Sequence, residues 1–460
     1  MSAPRTLPWP LVALFTAGCL APYLLPTTVG RLDTGLPLSA TQAGAIGSAL
    51  LLSSAAAGFL LATRVERIGA RTLARAGLAL AVLGYGGAAL TGFVPLVVAG
   101  LVVGGFGSGT ATTVAATGIA ALGASPARTK SRAWGSDPHR VSTLGLLGVS
   151  ALAGVVYLTV PHLGPGHGRP LAAIALTSLA VWPLTGRLPV RGAARTPVHQ
   201  ATPLPHRRAG LVLAATMLCW SLAQNSLWGV SGRIGLTQAH LDEVTVGVVF
   251  AVALGAGLLG VIGAGALGPR LGRALPVGAG TVMIAGCIVL SASATDLPAF
   301  ATGEIAWNVL YPIVLSYLIG LAASLDARGR WAVLVGSASS LGTAAGPLTG
   351  SLLSARAGFP VMGAVLAAGL LAVALPMTAV ALHTGGRPLL PGAVRRRGGT
   401  PAAVVAASAG APTGAVPPVG APEQPVVEIP VDGTAVPARP AYGTAGPRQP
   451  ASAAQGPGAG

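Results

Sequence analysis

Long apolar stretches separated by short polar segments make up most of the chain. Twelve of them are about 20 residues long, the length at which a helix crosses the hydrocarbon core of a membrane. Six lie in the first half, at 9–30, 41–63, 73–91, 94–116, 141–161 and 170–188. Six lie in the second, at 209–230, 244–267, 275–294, 298–323, 331–354 and 359–383. The pattern predicts an all-α membrane protein with twelve transmembrane helices in two six-helix bundles.

The segments between and after these stretches suggest four regions. Residues 1–188 form a predicted N-terminal bundle, and residues 209–384 form a C-terminal bundle. The arginine- and proline-rich segment 189–208 suits a cytoplasmic linker. From 385 to 460 the chain is rich in Ala, Pro and Gly and has little to bury, so we expect a disordered cytoplasmic tail.

Composition separates this chain from soluble proteins. Charged residues are 8% of the 460 positions and hydrophobic residues 52%, whereas a soluble domain is about one-quarter charged. The net charge of +17 comes mainly from short arginine clusters between apolar runs. A nucleic-acid-binding protein would instead gather its arginines on one face with aromatic residues between them. We therefore expect the lipid bilayer as a partner and no nucleic acid.

The arginines also predict the orientation of the helices, because basic loops resist translocation across the membrane. Alternate loops carry most of them, including Arg64, Arg67, Arg71, Arg75, Arg128, Arg132, Arg140, Arg328 and Arg330. The opposite loops contain only Arg31, Arg169, Arg233 and Arg356. This distribution predicts a multi-pass protein of the inner cell membrane with both termini in the cytoplasm.

The two halves of the sequence repeat at a shift of 203 positions. This shift pairs Arg67 with Arg270 and Gly69 with Gly272. It also pairs Ser39, which starts a predicted capping box, with the candidate cap residue Asp242. One register that holds across a helix, a turn and the next helix indicates a duplicated bundle.

The turn between the second and third helices carries a motif. Residues 62–71 read A-T-R-V-E-R-I-G-A-R, and the corresponding turn at 265–273 reads G-A-L-G-P-R-L-G-R. Both resemble the G-x-x-x-D-R-x-G-R-R signature of the major facilitator superfamily. The resemblance covers about residues 9–383 and implies two pseudo-symmetric bundles, a central cavity and transport of small solutes. We expect such a chain to be a monomer.

In that superfamily the motif residues close the cytoplasmic side through ion pairs and helix-end contacts. The resemblance implies the same gate role for Glu66, Arg67, Gly69, Arg71, Arg270, Gly272 and Arg273. The two glycines would permit tight reversals of the chain. The alternative is that the arginines only anchor the loops at the headgroup level.

The superfamily lines its cavity with the first, fourth, seventh and tenth helices, and two of these are unusually polar here. The resulting candidates for solute binding are Tyr23, Trp220, Gln224, Asn225, Trp228, Asn308 and Tyr311. The fourth helix offers only hydroxyls, at Ser108, Thr110, Thr112 and Thr113. Polar side chains can also join helices to one another, so packing is the competing explanation.

Glu304 is the sharpest single feature of the sequence. A carboxylate inside an apolar span costs several kcal/mol unless it is paired, hydrated or protonated. We therefore hypothesise that Glu304 takes up and releases protons during transport. The alternative is that Glu304, about two helical turns after Asp296, lies near the outer mouth and simply faces water.

Other motifs favour packing over chemistry. The run 342–350, G-T-A-A-G-P-L-T-G, resembles a pattern of drug exporters in this superfamily, but small residues at this spacing also let helices approach closely. The G-x-G-x-x-G at 255–260 lies in an apolar span and follows no strand. No H-E-x-x-H, Walker A or G-x-S-x-G motif occurs. The sequence therefore predicts no enzyme, catalytic residue, metal or cofactor.

These observations predict a secondary active transporter that moves a small solute by alternating access. Proton-coupled efflux is preferred, with the direction resting on the resemblance alone. The alternatives are a solute uptake symporter, a non-transporting membrane sensor or scaffold, and a membrane enzyme. The sequence leaves the identity of the solute open.

Overall fold

The computed structural model describes residues 9–123, 138–189, 204–267, 271–326 and 329–385, and these residues are almost wholly helical. The helices are α1 Trp9–Tyr23, α2 Leu25–Gly35, α3 Ala40–Leu61, α4 Val65–Ile68, α5 Ala70–Leu90, α6 Val94–Gly123, α7 Pro138–Thr159, α8 Gly168–Val181, α9 Arg207–Arg233, α10 Glu243–Leu267, α11 Ala274–Ala292, α12 Leu297–Ser324 and α13 Arg330–Gly385. Short 3-10 segments extend α7 over Val160–Leu163 and follow α8 over Trp182–Arg187. A π-helical turn, Ile234–Gln238, extends α9.

Each predicted span is mostly helical where the structure describes it, but the helices do not match the spans one to one. Nine helices of the described segments are long and apolar enough to cross a membrane, or ten if α1 and α2, bent by 47°, form one span. The sixth predicted span holds only the 14-residue α8 and its 3-10 extension. The 56-residue α13 contains the last two spans, divided at Gly358, where φ is 79°. The chain is thus a multi-pass helical protein, and the count of twelve stays a prediction.

Side-chain caps fix several helix starts. Ser39 and Gln42 form the predicted capping box at the start of α3. Asp296 accepts a hydrogen bond from the Ala299 N–H at 2.9 Å and so caps α12. Asp137, the third predicted cap, lies outside the described residues.

The predicted repeat appears in the helix boundaries. Helices α3 and α10 begin at Ala40 and Glu243, and helices α6 and α12 begin at Val94 and Leu297, so both pairs are 203 positions apart. Helix α10 also has the counterpart of the α3 cap, because Asp242 accepts a hydrogen bond from the Thr245 N–H at 2.9 Å. The two halves therefore share a construction over these helices.

Helices of each half pack mainly on one another. In the first half α6 contacts α1, α3 and α5, and in the second half α13 contacts α9 and α11. The halves meet where α3 packs on α13, α7 on α10 and α2 on α9. Large apolar side chains cover the outside of the bundles, including Leu83, Leu90 and Leu375, which are 71%, 91% and 75% exposed. Such a surface suits contact with lipid. The predicted linker and tail fall largely on 190–203 and 386–460, outside the described residues, so the domain boundaries stay predictions.

Glycine motifs in the second half mediate close helix packing. A Cβ placed on Gly342 or Gly350 would lie 2.2 Å from a backbone oxygen of α9, that of Leu218 or Ser226 respectively. In the G-x-G-x-x-G run, a Cβ on Gly260 would lie 2.1 Å from the Val309 oxygen of α12. Both runs therefore act as contact surfaces between helices, as the packing interpretation of the sequence requires.

Candidate functional site

A cavity of about 100 Å³ lies between the two halves of the molecule. Its wall comes from α1, α7, α9, α10 and α12. The lining residues are Pro22, Tyr23, Leu146, Ser150, Asn225, Trp228, Leu254, Gly257, Leu258, Val261, Trp307, Asn308, Tyr311 and Pro312.

One side of the cavity is a run of aromatic rings. The Trp228 ring stacks on Trp307 with centroids 5.6 Å apart, and Trp307 packs against Tyr311 at 5.5 Å. Behind them, Trp220 stacks on Tyr311 at 5.3 Å. These spacings are those of favourable aromatic pairs, so the rings fix one another in place.

Both indole N–H groups of the lining are engaged within the protein. Trp228 Nε1 donates to the Pro22 carbonyl oxygen at 3.1 Å, a bond that joins the two halves. Trp307 Nε1 donates to Gln224 Oε1. The tryptophans therefore contribute apolar ring surface to the lining, because their N–H donors are already occupied.

Two neutral amides provide most of the polar character of the lining. Asn225 Nδ2 donates both to the Ser221 carbonyl oxygen at 2.9 Å and to Thr343 Oγ1 at 3.1 Å. Asn308 Nδ2 donates to the Glu304 carbonyl oxygen at 3.0 Å. Asn225 thus retains only its carbonyl oxygen for a ligand, and Asn308 retains its carbonyl oxygen and one N–H.

Five of the seven predicted solute-binding residues line this cavity: Tyr23, Asn225, Trp228, Asn308 and Tyr311. The other two, Trp220 and Gln224, are fully buried next to the aromatic run and do not line it. Within the described residues, Trp220 Nε1 and Gln224 Nε2 have no hydrogen-bond partner. Whether any of the seven contacts a solute stays a prediction.

The sequence reasoning missed Trp307 and the contributions of α7 and α10. Trp307 lies three residues after Glu304, so helical spacing from the acid could have identified it. The expected fourth-helix residues do not line this cavity. Thr112, for example, is buried and donates to the Ser108 carbonyl oxygen at 3.0 Å. Helix α6 uses such hydroxyls and its glycines for packing, whereas α7 supplies Leu146 and Ser150 to the cavity.

Glu304 is fully buried, which rules out the water-facing alternative for the conformation in this structure. Ser291 and Ser231 both donate to its Oε1, at 2.6 and 2.8 Å. Its Oε2 has no hydrogen-bond partner among the described residues. Glu304 therefore joins α9, α11 and α12 through hydroxyls alone, with no salt bridge to a described cation.

A second arrangement that the sequence did not reveal lies at the predicted outer end of the bundles. Arg31 is 5% exposed, and its guanidinium contacts Glu243 of the other half at 2.6 Å. It also donates to the carbonyl oxygens of Val160, Gly164 and Gly166 at 3.0–3.1 Å. Arg31 thus connects the end of α2, the segment after α7 and the start of α10.

Arg233, at the end of α9, makes a weaker counterpart contact in the opposite direction. Its guanidinium lies 3.8 Å from Asp33 of the first half. It donates to Ser351 and Ser354 at 3.0 and 3.4 Å, and it lies 5.9 Å from the centre of the Phe359 ring. Its Nε has no hydrogen-bond partner among the described residues. Each half therefore presents a buried arginine to an acid of the other.

Two of the predicted cytoplasmic gate residues are glycines at sharp reversals of the chain. Gly69 and Gly272 have φ values of 100° and 66°, in the left-handed region that favours glycine. Arg71 Nε donates to the Leu188 carbonyl oxygen at 3.0 Å. Glu66 and Arg67 are exposed, and no salt bridge joins them in the described part of the chain. Arg273 lies just after its turn, and Arg270 lies outside the described residues.

Comparison of the whole structure with solved structures gives matches over most of the chain. A mutant of the nucleoside transporter NupG aligns with a TM-score of 0.63 and 14% identity, over 81% of this chain and 98% of that one. An auto-inhibited POT family peptide transporter aligns with a TM-score of 0.62 and 14% identity, over 86% and 99%. The human organic anion transporter MFSD10 aligns with a TM-score of 0.58 and 15% identity, over 80% and 97%.

The chain has the fold of major facilitator transporters. No protein-family model matches the sequence, and no curated protein sequence does so either. At 14–15% identity, the structural likeness identifies the fold. The solute and the direction of its movement have to be inferred from the site itself.

Proposed function

We propose that this protein is a secondary active transporter that carries a small solute across the cytoplasmic membrane by alternating access. The observation that carries the proposal is the central cavity, which lies between two repeated halves and is lined by both of them. A cavity in this position changes the side to which it opens when the halves rock against each other.

The polar contacts between the halves support one end state of that cycle. Arg31 with Glu243 and Arg233 with Asp33 join the halves at the predicted outer end. Nearer mid-depth, the Leu348 N–H donates to Ser48 Oγ at 2.9 Å. With the halves joined there, the cavity belongs to a state that opens toward the predicted cytoplasmic end.

Glu304 is the proposed site of proton coupling. A buried carboxyl group that only hydroxyls contact is costly to leave ionised, so it favours protonation until rearrangement exposes it to water. Proton uptake from one side and release to the other would then drive the solute. We place solute movement in the export direction, on the likeness of 342–350 to the exporter pattern. Uptake by symport with protons is the alternative.

The experiment is a flux assay with the full-length chain in proteoliposomes, under an imposed pH gradient of either sign. The proposal predicts saturable, gradient-driven movement of solute that empty liposomes lack. Export predicts solute movement opposite to the proton gradient, and symport predicts movement along it. Binding without flux under either gradient would contradict transport and favour a sensor.

A further inference from the structure

The chemistry of the cavity lining identifies a class of solute, an inference that rests on the proposed transport function. Among the fourteen lining residues there is no Asp, Glu, Lys, Arg or His. An anion would lose its hydration here without gaining a counter-charge, which is costly in a low-dielectric site, and a cation would have only the aromatic rings to offset the same loss. The lining therefore disfavours carboxylates, phosphates and zwitterions.

The walls of the cavity favour a flat solute. Trp228, Trp307 and Tyr311 form the aromatic side. The centroid of the Trp307 ring lies 5.6 Å from that of Trp228 and 5.5 Å from that of Tyr311. Aliphatic side chains, including Leu254 and Leu258, also line it. A planar ring system can stack on the aromatic run and bury its other face against aliphatic groups.

The remaining hydrogen-bonding capacity is biased toward acceptors. The indole N–H groups of Trp228 and Trp307 and both amide hydrogens of Asn225 are occupied within the protein. Asn225 Oδ1 and Asn308 Oδ1 are left to receive hydrogen bonds. A solute with an N–H or O–H donor on its ring would match these two oxygens, whereas a solute with only acceptors would find a single amide donor, the remaining N–H of Asn308.

The small number of hydrogen-bonding groups in the lining disfavours sugars. Besides the two amides, only Tyr23, Ser150 and Tyr311 bring a polar side-chain group to the lining. A sugar would need partners for a hydroxyl on almost every carbon, and each one buried without a partner costs affinity. We propose that the cavity binds uncharged, planar aromatic or heteroaromatic solutes that carry at least one N–H or O–H donor.

Five probes test this class on one scale: 2-quinolone, 1-methyl-2-quinolone, 1-methylquinolinium, quinoline-2-carboxylate and D-xylose. The first four share a bicyclic frame and differ in donor and charge. Equilibrium dialysis against the full-length protein in lipid nanodiscs measures their affinities without requiring flux. We expect 2-quinolone to bind tightest, about tenfold better than its N-methyl analogue, which lacks the donor.

Two variants separate solute contact from general damage. Asn308→Leu should abolish the preference for 2-quinolone over its N-methyl analogue, whereas a purely structural defect would weaken both equally. Ser150→Asp, which adds a negative charge to the lining, should raise the affinity for 1-methylquinolinium about tenfold, with Ser150→Ala as the uncharged control. The Ser150 hydroxyl makes no hydrogen bond to another described residue, so neither change removes one.

Tightest binding of quinoline-2-carboxylate, 1-methylquinolinium or D-xylose would overturn the proposed class, as would binding of none of the five probes. Equal affinities for the two quinolones would overturn the donor requirement. A proteoliposome flux assay with the same probes keeps the two proposals apart. The predicted ranking without flux would refute transport and leave the class intact, whereas flux with another ranking would refute the class alone.

Discussion

Two of the regions where the halves of the molecule meet use different chemistry. At the predicted outer end, four charged residues, Arg31, Asp33, Arg233 and Glu243, contact one another in two pairs across the interface. At mid-depth the cavity is lined only by neutral residues. The comparison suggests a division of labour in which charge holds the halves together and aromatic and amide groups meet the solute.

This division suits a molecule that must open and close repeatedly. The Glu243 side chain is 39% exposed, so solvent weakens its attraction to Arg31 and the pair can separate at modest cost. A fixed charge in the cavity would have to be compensated whenever the solute leaves. A neutral lining avoids that cost and lets solute release depend on shape and hydrogen bonding.

The largest expected effect comes from a substitution in the neutral cavity lining. Trp307→Ala removes the middle ring of the aromatic run and a hydrogen bond to Gln224. We expect solute affinity and flux to fall about tenfold or more, measured by dialysis and by proteoliposome transport. Trp9→Ala, at a tryptophan that is 51% exposed at the start of α1, is the matched control. Equal losses in both variants would contradict a specific role for the aromatic run.

The next effect concerns Glu304, the fully buried acid of α12. Glu304→Gln keeps the shape and hydrogen-bonding capacity of the side chain but cannot release a proton. We expect solute exchange between identical solutions to continue while pH-gradient-driven flux disappears. Glu428→Gln, outside all predicted spans, should leave both processes unchanged. Undiminished gradient dependence in Glu304→Gln would end the proton-coupling proposal.

Removing the stronger charge contact should open the outer end. Arg31→Ala deletes the contact with Glu243 and the bonds to three carbonyl oxygens, so the state closed at that end should lose population about tenfold. Spin labels at Pro37→Cys and His240→Cys, in exposed loops of the two halves, would report longer distances by pulsed electron paramagnetic resonance. Arg356→Ala is the control, because Arg356 is an exposed arginine of the same end. Unchanged distances in Arg31→Ala would show that the outer end closes without this contact.

The smallest effect should follow from removing the weaker charge contact, between Asp33 and Arg233. Asp33 lies 3.8 Å from Arg233, compared with 2.6 Å between Glu243 and Arg31, so Asp33→Asn should change the same distance distribution by less than about twofold in population. A change as large as that of Arg31→Ala would mean that the two contacts contribute equally, contrary to their geometry.

Much of the fold could be predicted from local patterns. The hydropathy window 41–63 matches α3 Ala40–Leu61, and the cap at Ser39 follows from side-chain chemistry within four residues. The 203-position repeat correctly related α3 to α10. Hydropathy alone did not predict the bend between α1 and α2, which lies between Pro22 and Pro26. It also did not show how little of the sixth span is α-helix, because apolar character is compatible with a 3-10 segment.

The site was less predictable, because its contacts join residues far apart in sequence. Arg31 and Glu243 lie 212 positions apart, and the arginines of the predicted outer loops served only to assign topology. Trp220 and Gln224 share a helical face with Asn225 and Trp228, yet Trp220 and Gln224 are buried behind the aromatic rings. Helical spacing predicts which residues share a face but not how deeply neighbouring helices bury each of them. The burial of Glu304 likewise depends on Ser231 and Ser291 from two other helices.

The central claim, that solute reaches the cavity alternately from the two faces, is tested most directly by cysteine accessibility. Asn308→Cys would be introduced after Cys19, Cys219 and Cys287 are replaced by alanine, and a membrane-impermeant maleimide applied to vesicles of each orientation. The account predicts labelling from the cytoplasmic face at rest and additional labelling from the outer face when Arg31→Ala is combined with it. A cysteine at position 308 that stays unreactive from both faces in both backgrounds would contradict the account.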